Sequence, residues 1–114
     1  MVASASRIIE SEYASQLTVP QLAERLRVSA STLNRAFKRE LGVSVKDHIA
    51  AIRLARFENL LRETGVSVTE ASRLVGFRSS SQIREKFREV HGVSASIWRA
   101  TENDEPSLGF AASA

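Results

Sequence analysis

The sequence predicts an all-α chain of seven helices, forming two helix-turn-helix subdomains joined by a long connecting helix. Three observations carry this. Apolar residues recur at spacings of three and four, and no stretch keeps strand-like alternation for more than a few residues. Gly42, Gly65, Gly76 and Gly92 each follow a helix-like stretch, where glycine suits the left-handed position just past a helix end. The sequence also repeats itself at an offset of about 50 residues.

The spacing predicts helices over 5–15, 19–26, 30–41, 45–63, 68–75, 80–91 and 95–101. Thr18 opens the second as a capping box with Gln21, and Pro20 sits early, where its missing N–H costs nothing. Ser29 caps the third, whose Leu33, Phe37 and Leu41 make an inward edge. Ser44 caps the fourth, about 28 Å long at 1.5 Å per residue. Its apolar residues (Ile49, Ile52, Leu54, Phe57, Leu60, Leu61) spread over more than one face, as in a helix serving two lobes. Ser67 and Glu70 form a second capping box at the fifth helix, and Ser94 caps the seventh. Ile83 and Phe87 point the sixth inward, and Trp98 reads as packing in the seventh. The expected division is 1–43, 44–64 and 65–101, followed by a disordered tail over 102–114.

At an offset of 50, Ser31 falls on Ser81, Leu33 on Ile83, Phe37 on Phe87, and Gly42-Val43-Ser44 on Gly92-Val93-Ser94. Upstream the offset is 49, with Val19 on Val68, Leu22 on Ala71, Leu26 on Val75 and Val28 on Phe77. One residue inserted near Ser79 accounts for the change. Each unit is a short helix, a turn and a longer helix, the plan by which a second helix enters a major groove.

Composition sets limits. At 114 residues without cysteine, the chain excludes a large catalytic barrel, a disulfide framework, thiolate catalysis and a Cys-ligated zinc. No apolar run approaches the roughly 20 residues that span a bilayer, and no signal peptide opens the chain, so the cytoplasm is the expected compartment. The net charge is +3, but all 16 basic and only 10 acidic residues precede Glu102, so that body carries +6. Thirteen of the 16 are arginine, the side chain suited to phosphates and guanine edges. His48 and His91 stand apart from any metal-ligating cluster, and no catalytic constellation appears, so neither metal, cofactor nor enzyme activity is expected.

These features together resemble the DNA-binding domain of the AraC/XylS family of bacterial transcription regulators, from about Ile9 to Arg99. The first unit, LAERLRVSASTLNRAFKRELGVSVKDHIAAIRLARFENLL, is similar to the family's first half. The second, VTEASRLVGFRSSSQIREKFREVHGVSASIWR, covers its signature half. Val75-Gly76-Phe77, Phe87, Gly92 and Trp98-Arg99 are the most specific features. The chain departs from the pattern where Gln82-Ile83 replace aromatics, where Ala95 stands for proline, and where Ser72 stands for alanine.

The resemblance, with the outward positions of the two longer helices, implies a double-stranded DNA site. In the first unit the candidates are Ser31, Asn34, Arg35, Lys38 and Arg39. Arg35 suits guanine O6/N7 and Asn34 adenine, with a surface ion pair to Glu40 or another acid as the plain alternative for Arg35. In the second unit they are Ser79, Ser80, Ser81, Gln82, Arg84, Glu85, Lys86 and Arg88. Gln82 suits adenine and Glu85 cytosine N4, while Lys86 and Arg88 suit phosphates. The connector's length suits recognition helices in adjacent major grooves about 34 Å apart, on an asymmetric site with some DNA bending. The resemblance further implies an activator, RNA polymerase as a partner, and localisation at the bacterial nucleoid. Stand-alone members are about this size, whereas most members add an effector-binding domain, so an effector ligand is expected only if the chain is part of a longer regulator. The rival reading is a helical adaptor that touches the transcription machinery without reading bases.

Overall fold

The structure is a computed structural model that describes the backbone of residues 1–104 and the side chains of residues 1–101. Among the described residues there are seven helices and no strand. They are α1 (Val2–Glu12), α2 (Val19–Arg25), α3 (Ala30–Leu41), α4 (Val45–Glu63), α5 (Val68–Leu74), α6 (Ser80–His91) and α7 (Ala95–Asp104). The backbone contacts divide the chain into two compact units with the boundary inside α4, between Ala55 and Arg56.

In the first unit α3 touches both α1 and α2. Ile9, Leu22, Leu33, Phe37 and Val45 are fully buried there, and Ile49 nearly so. The front half of α4 thus belongs to this core. In the second unit α6 touches α5 and α7. Phe87 is its centre, edge-on to Phe57 at 5.8 Å and to Trp98 at 5.3 Å, between ring centroids. The Arg62 guanidinium covers Trp98 at 5.5 Å. The repeat extends to the rings that close each unit. Phe37 meets His48 edge-on at 5.4 Å, and Phe87 meets Trp98 the same way, each pair 50 residues from its counterpart.

The caps explain the boundaries. Thr18 and Gln21 exchange both capping-box bonds, at 3.2 and 3.1 Å. Ser29, Ser44, Ser67 and Ser94 each accept a backbone N–H three residues on. Only half of the expected box forms at Ser67, because the Glu70 carboxylate turns to the Arg73 guanidinium instead of reaching back. Gly42 and Gly92 take matching left-handed conformations, φ 77° and 78°, and end the two longer helices.

Five expectations change. The first helix starts at Val2, not at residue 5, because Val2, Ala5 and Ile9 form one buried stripe. It ends at Glu12, where Ser15 bonds back to the Glu12 carbonyl. Leu41 is exposed, not inward. Each step of four residues turns a helix by 400°, so Leu41 is rotated about 80° away from Leu33. Gly65 is not left-handed, since Thr64 closes α4 through its own N–H and hydroxyl on the Leu60 carbonyl. The last helix passes residue 101 to Asp104, because nothing from Ala100 to Asp104 is a glycine or proline that would stop it. Glu102–Asp104 of the expected disordered tail are therefore helical, and 105–114 lie outside the described residues.

Each unit also carries an arginine whose importance its sequence position does not announce. Arg53 donates to the Tyr13 carbonyl at 2.8 Å and the Ser15 carbonyl at 3.0 Å, just past the end of α1. Arg99 does the same for Leu61 and Thr64 at the end of α4, both at 3.0 Å. Both place a cation where helix carbonyls lack partners. Partial burial pushes the Arg53 guanidinium below its ordinary value, though it stays charged. Arg53→Met keeps the stem and deletes these bonds, and is expected to cost about 1.5–3 kcal/mol in chemical denaturation. Arg7→Met, at an exposed position, should shift the midpoint negligibly. Equal shifts for the two would refute the capping role.

Candidate nucleic-acid interface

The two helix-turn-helix turns are built alike. At the end of α2, Arg27 N–H donates to the Glu24 carbonyl and Val28 N–H to the Ala23 carbonyl, both at 3.0 Å. At the end of α5, Gly76 N–H donates to Arg73 and Phe77 N–H to Ser72, both at 3.1 Å. This paired pattern is the Schellman motif, which requires a left-handed residue past the cap. Gly76 supplies it in the second unit at φ 101°, and Arg27 in the first at φ 61°. One residue, Val28, then precedes the Ser29 cap of α3, and two, Phe77 and Arg78, precede the Ser79 cap of α6, a difference that is the one-residue insertion.

On α3, Ser31, Arg35, Lys38 and Arg39 are exposed. Ser31, Arg35 and Lys38 lie at i, i+4 and i+7, within about 60° of one another. They form one stripe opposite the buried Leu33, Ala36 and Phe37. Among the described residues Arg35 has no ion pair, and its one bond is a long 3.5 Å contact to the Thr32 hydroxyl. Glu40 lies about 140° around the helix from it, too far to pair. Asn34 is placed differently. It is half-buried, and its Oδ1 accepts the Val45 N–H at 3.0 Å. A two-bond contact to adenine would use that same oxygen, one of whose two lone pairs already serves the fold.

On α6 the equivalent stripe is Ser81, Glu85 and Arg88, all exposed, with Gln82 and Arg84 beside it. Glu85 stands 50 residues from Arg35, so the centre of the stripe reverses its charge between the units. Ser79 is occupied as a cap: it accepts the Ser81 N–H at 3.2 Å and shares a 2.7 Å hydroxyl contact with Ser81. Arg84 reaches back to the Thr69 hydroxyl on α5 at 3.3 Å. Lys86 is half-buried and lies 3.9 Å from Glu89, and Ser80 is half-buried as well. Arg25 is withdrawn from any ligand by a two-bond pair with Glu12 at 2.7 and 2.8 Å. Those hydrogen bonds hold the Glu12 carboxyl below its usual range. His91 donates from Nε2 to the Glu58 carboxylate at 2.6 Å and stacks on Phe87, a packing role its sequence position does not announce.

Comparison with known proteins agrees with this architecture. A helix-turn-helix domain model matches residues 22–101. The Msm operon regulatory protein of Streptococcus mutans serotype c is 34% identical over 93 residues, covering 82% of this chain and 34% of that protein. The lactose operon transcription activator of Staphylococcus xylosus is 30% identical over 91 residues, covering 80% and 33%. The chain therefore spans about a third of the length of these two relatives. The DNA-binding domain of AdpA, a global transcriptional factor solved with a target DNA, superposes with a TM-score of 0.86 at 27% identity. That match covers 93% of this chain and 96% of the other. With two copies of the same capped helix-turn-helix and these relatives, the chain belongs to the AraC-type helix-turn-helix family and carries the DNA-binding domain of a transcription regulator.

Proposed function

We propose that the chain reads an asymmetric double-stranded DNA site through α3 and α6, each in a major groove, and that the first unit supplies most of the sequence discrimination. The observation that carries this is the stripe on α3, where Arg35 and Lys38 stand exposed without a carboxylate partner among the described residues. The equivalent stripe of α6 has Glu85 at its centre. Arg35 takes guanine O6/N7, Glu85 accepts from cytosine N4, and Lys38, Arg39 and Arg88 contact phosphates. Ser31, Ser81 and Gln82 add short polar contacts at the groove edge.

The two units differ at the contacting positions, so one chain makes an asymmetric site spanning about two helical turns of DNA. Selection from a random duplex pool, followed by footprinting, tests this. A palindromic site would mean that two chains, each using one unit, do the reading. No enrichment of any sequence would favour an adaptor that touches the transcription machinery without reading bases. Because phosphates are neutralised, log affinity should fall linearly with log salt, at about −0.9 per phosphate. An affinity that stays constant between about 50 and 200 mM salt would contradict phosphate contact altogether.

The wider reading follows the relatives. The Staphylococcus xylosus protein is an activator, and we extend that sense of regulation to this chain, with RNA polymerase as the partner it recruits. Its place is the cytoplasm, at the nucleoid, and among the described residues no helix is long and apolar enough to cross a membrane. The chain acts by binding rather than by catalysis, and an effector ligand would belong to a further domain of a longer regulator.

A further inference from the structure

The left-handed residue of the first turn is an arginine. The motif that closes α2 makes the same two backbone bonds as the one that closes α5, where the residue is Gly76. Glycine adopts this conformation freely, whereas an L-residue with a long side chain is disfavoured there. Arg27 nevertheless holds φ 61°. Its side chain is exposed, and among the described residues it has neither a hydrogen-bond nor an ion-pair partner. Its neighbour Arg25 is by contrast bound to Glu12. A cation is thus kept, against local backbone preference, in the turn that leads directly into α3 with its Ser31, Arg35 and Lys38 stripe. Strain of this kind points from an observed outlier to a use.

We propose that Arg27 clamps a DNA phosphate beside the groove that α3 enters, a contact that the matching Gly76 of the second unit has no side chain to make. It rests on the DNA-binding reading and adds a residue to it. The contact is to the backbone, so it acts on any duplex and fixes the register of the first unit without reading a base. It would strengthen the asymmetry between the units, adding a positive charge on the side where Arg35 already stands.

The test uses the whole chain with a duplex of arbitrary sequence, and three variants. Arg27→Gly restores the residue of the other turn and keeps the fold. Arg27→Asn removes the charge with a residue that tolerates the left-handed region. Arg27→Lys keeps the charge. Affinity is measured as a function of salt, and folding by thermal unfolding. Both uncharged variants should unfold no earlier than the parent by more than a few degrees. Each should lose about one phosphate from the salt slope, so that between 50 and 200 mM salt the parent loses about threefold more affinity than the variant does. The lysine variant should keep the parent slope. The proposal is overturned if Gly and Asn bind with the parent affinity and slope, or if Lys loses the slope as they do. A parent chain that binds no duplex would overturn the DNA-binding reading together with this one, a result distinct from a binding parent with unaltered variants.

Discussion

Arg35→Ala should abolish discrimination at one base pair of the selected site, a loss of about 1–3 kcal/mol, while affinity for unrelated DNA changes little. The guanidinium is exposed at the centre of the α3 stripe and has no carboxylate to leave. Its removal should therefore cost specificity without costing the fold. Gln82→Ala, beside the stripe of α6, should lose much less. The check is a titration of both variants against duplexes carrying single substitutions at every position of the site. Equal losses for Arg35 and Gln82 would sink the claim that the first unit dominates. The Glu85 position sharpens the contrast. A carboxylate at the centre of the second stripe repels phosphates, so Glu85→Gln should raise overall affinity while relaxing preference at a cytosine.

Phe87→Ala is expected to destabilise the second unit by about 3–5 kcal/mol, a large part of a small domain's whole stability. Phe87 is fully buried and meets Phe57, His91 and Trp98 with its ring. Alanine would leave a cavity bounded by three other rings, on top of the lost transfer energy. Val90→Ala, three residues on but more than half exposed, should change stability by less than about 0.5 kcal/mol. Urea denaturation followed by circular dichroism measures both, and a Phe87→Ala loss below about 1 kcal/mol would show that this aromatic cluster is not the core of the unit. Impaired binding by this variant would follow from α6 losing its seat, not from any contact of Phe87 with DNA.

The repeat was the most informative feature of the sequence, because it is a property of spacing and needs no coordinates. Leu33 and Phe37 against Ile83 and Phe87, and Gly42 against Gly92, marked out both units and the ends of both longer helices. The cap serines were equally legible, since a hydroxyl three residues before a free N–H is a local arrangement. Leu41 was not legible, because an i, i+4, i+8 pattern drifts around a helix and only the packed neighbours show where the buried face stops. The structural bond of Asn34 was not legible either. Its position on α3 suggests an outward amide, but the nearby start of α4 takes its oxygen.

Arg27 and Arg53 show the same division from the other side. In the sequence both are arginines in a basic body, and nothing local separates one from the other. The sequence by itself determined the fold class, the repeat and the family, because periodicity, caps and repeats are encoded within a few residues of one another. Only the tertiary structure decided which cations are consumed by the fold and which stay exposed without an ion pair. Arg25, Arg53 and Arg99 find partners 13, 40 and 38 residues away, whereas among the described residues Arg35 reaches only the Thr32 hydroxyl of its own helix, at 3.5 Å, and Arg27 has no polar partner. Charge is a property of a residue, but availability depends on which distant groups the folded chain brings within hydrogen-bonding reach.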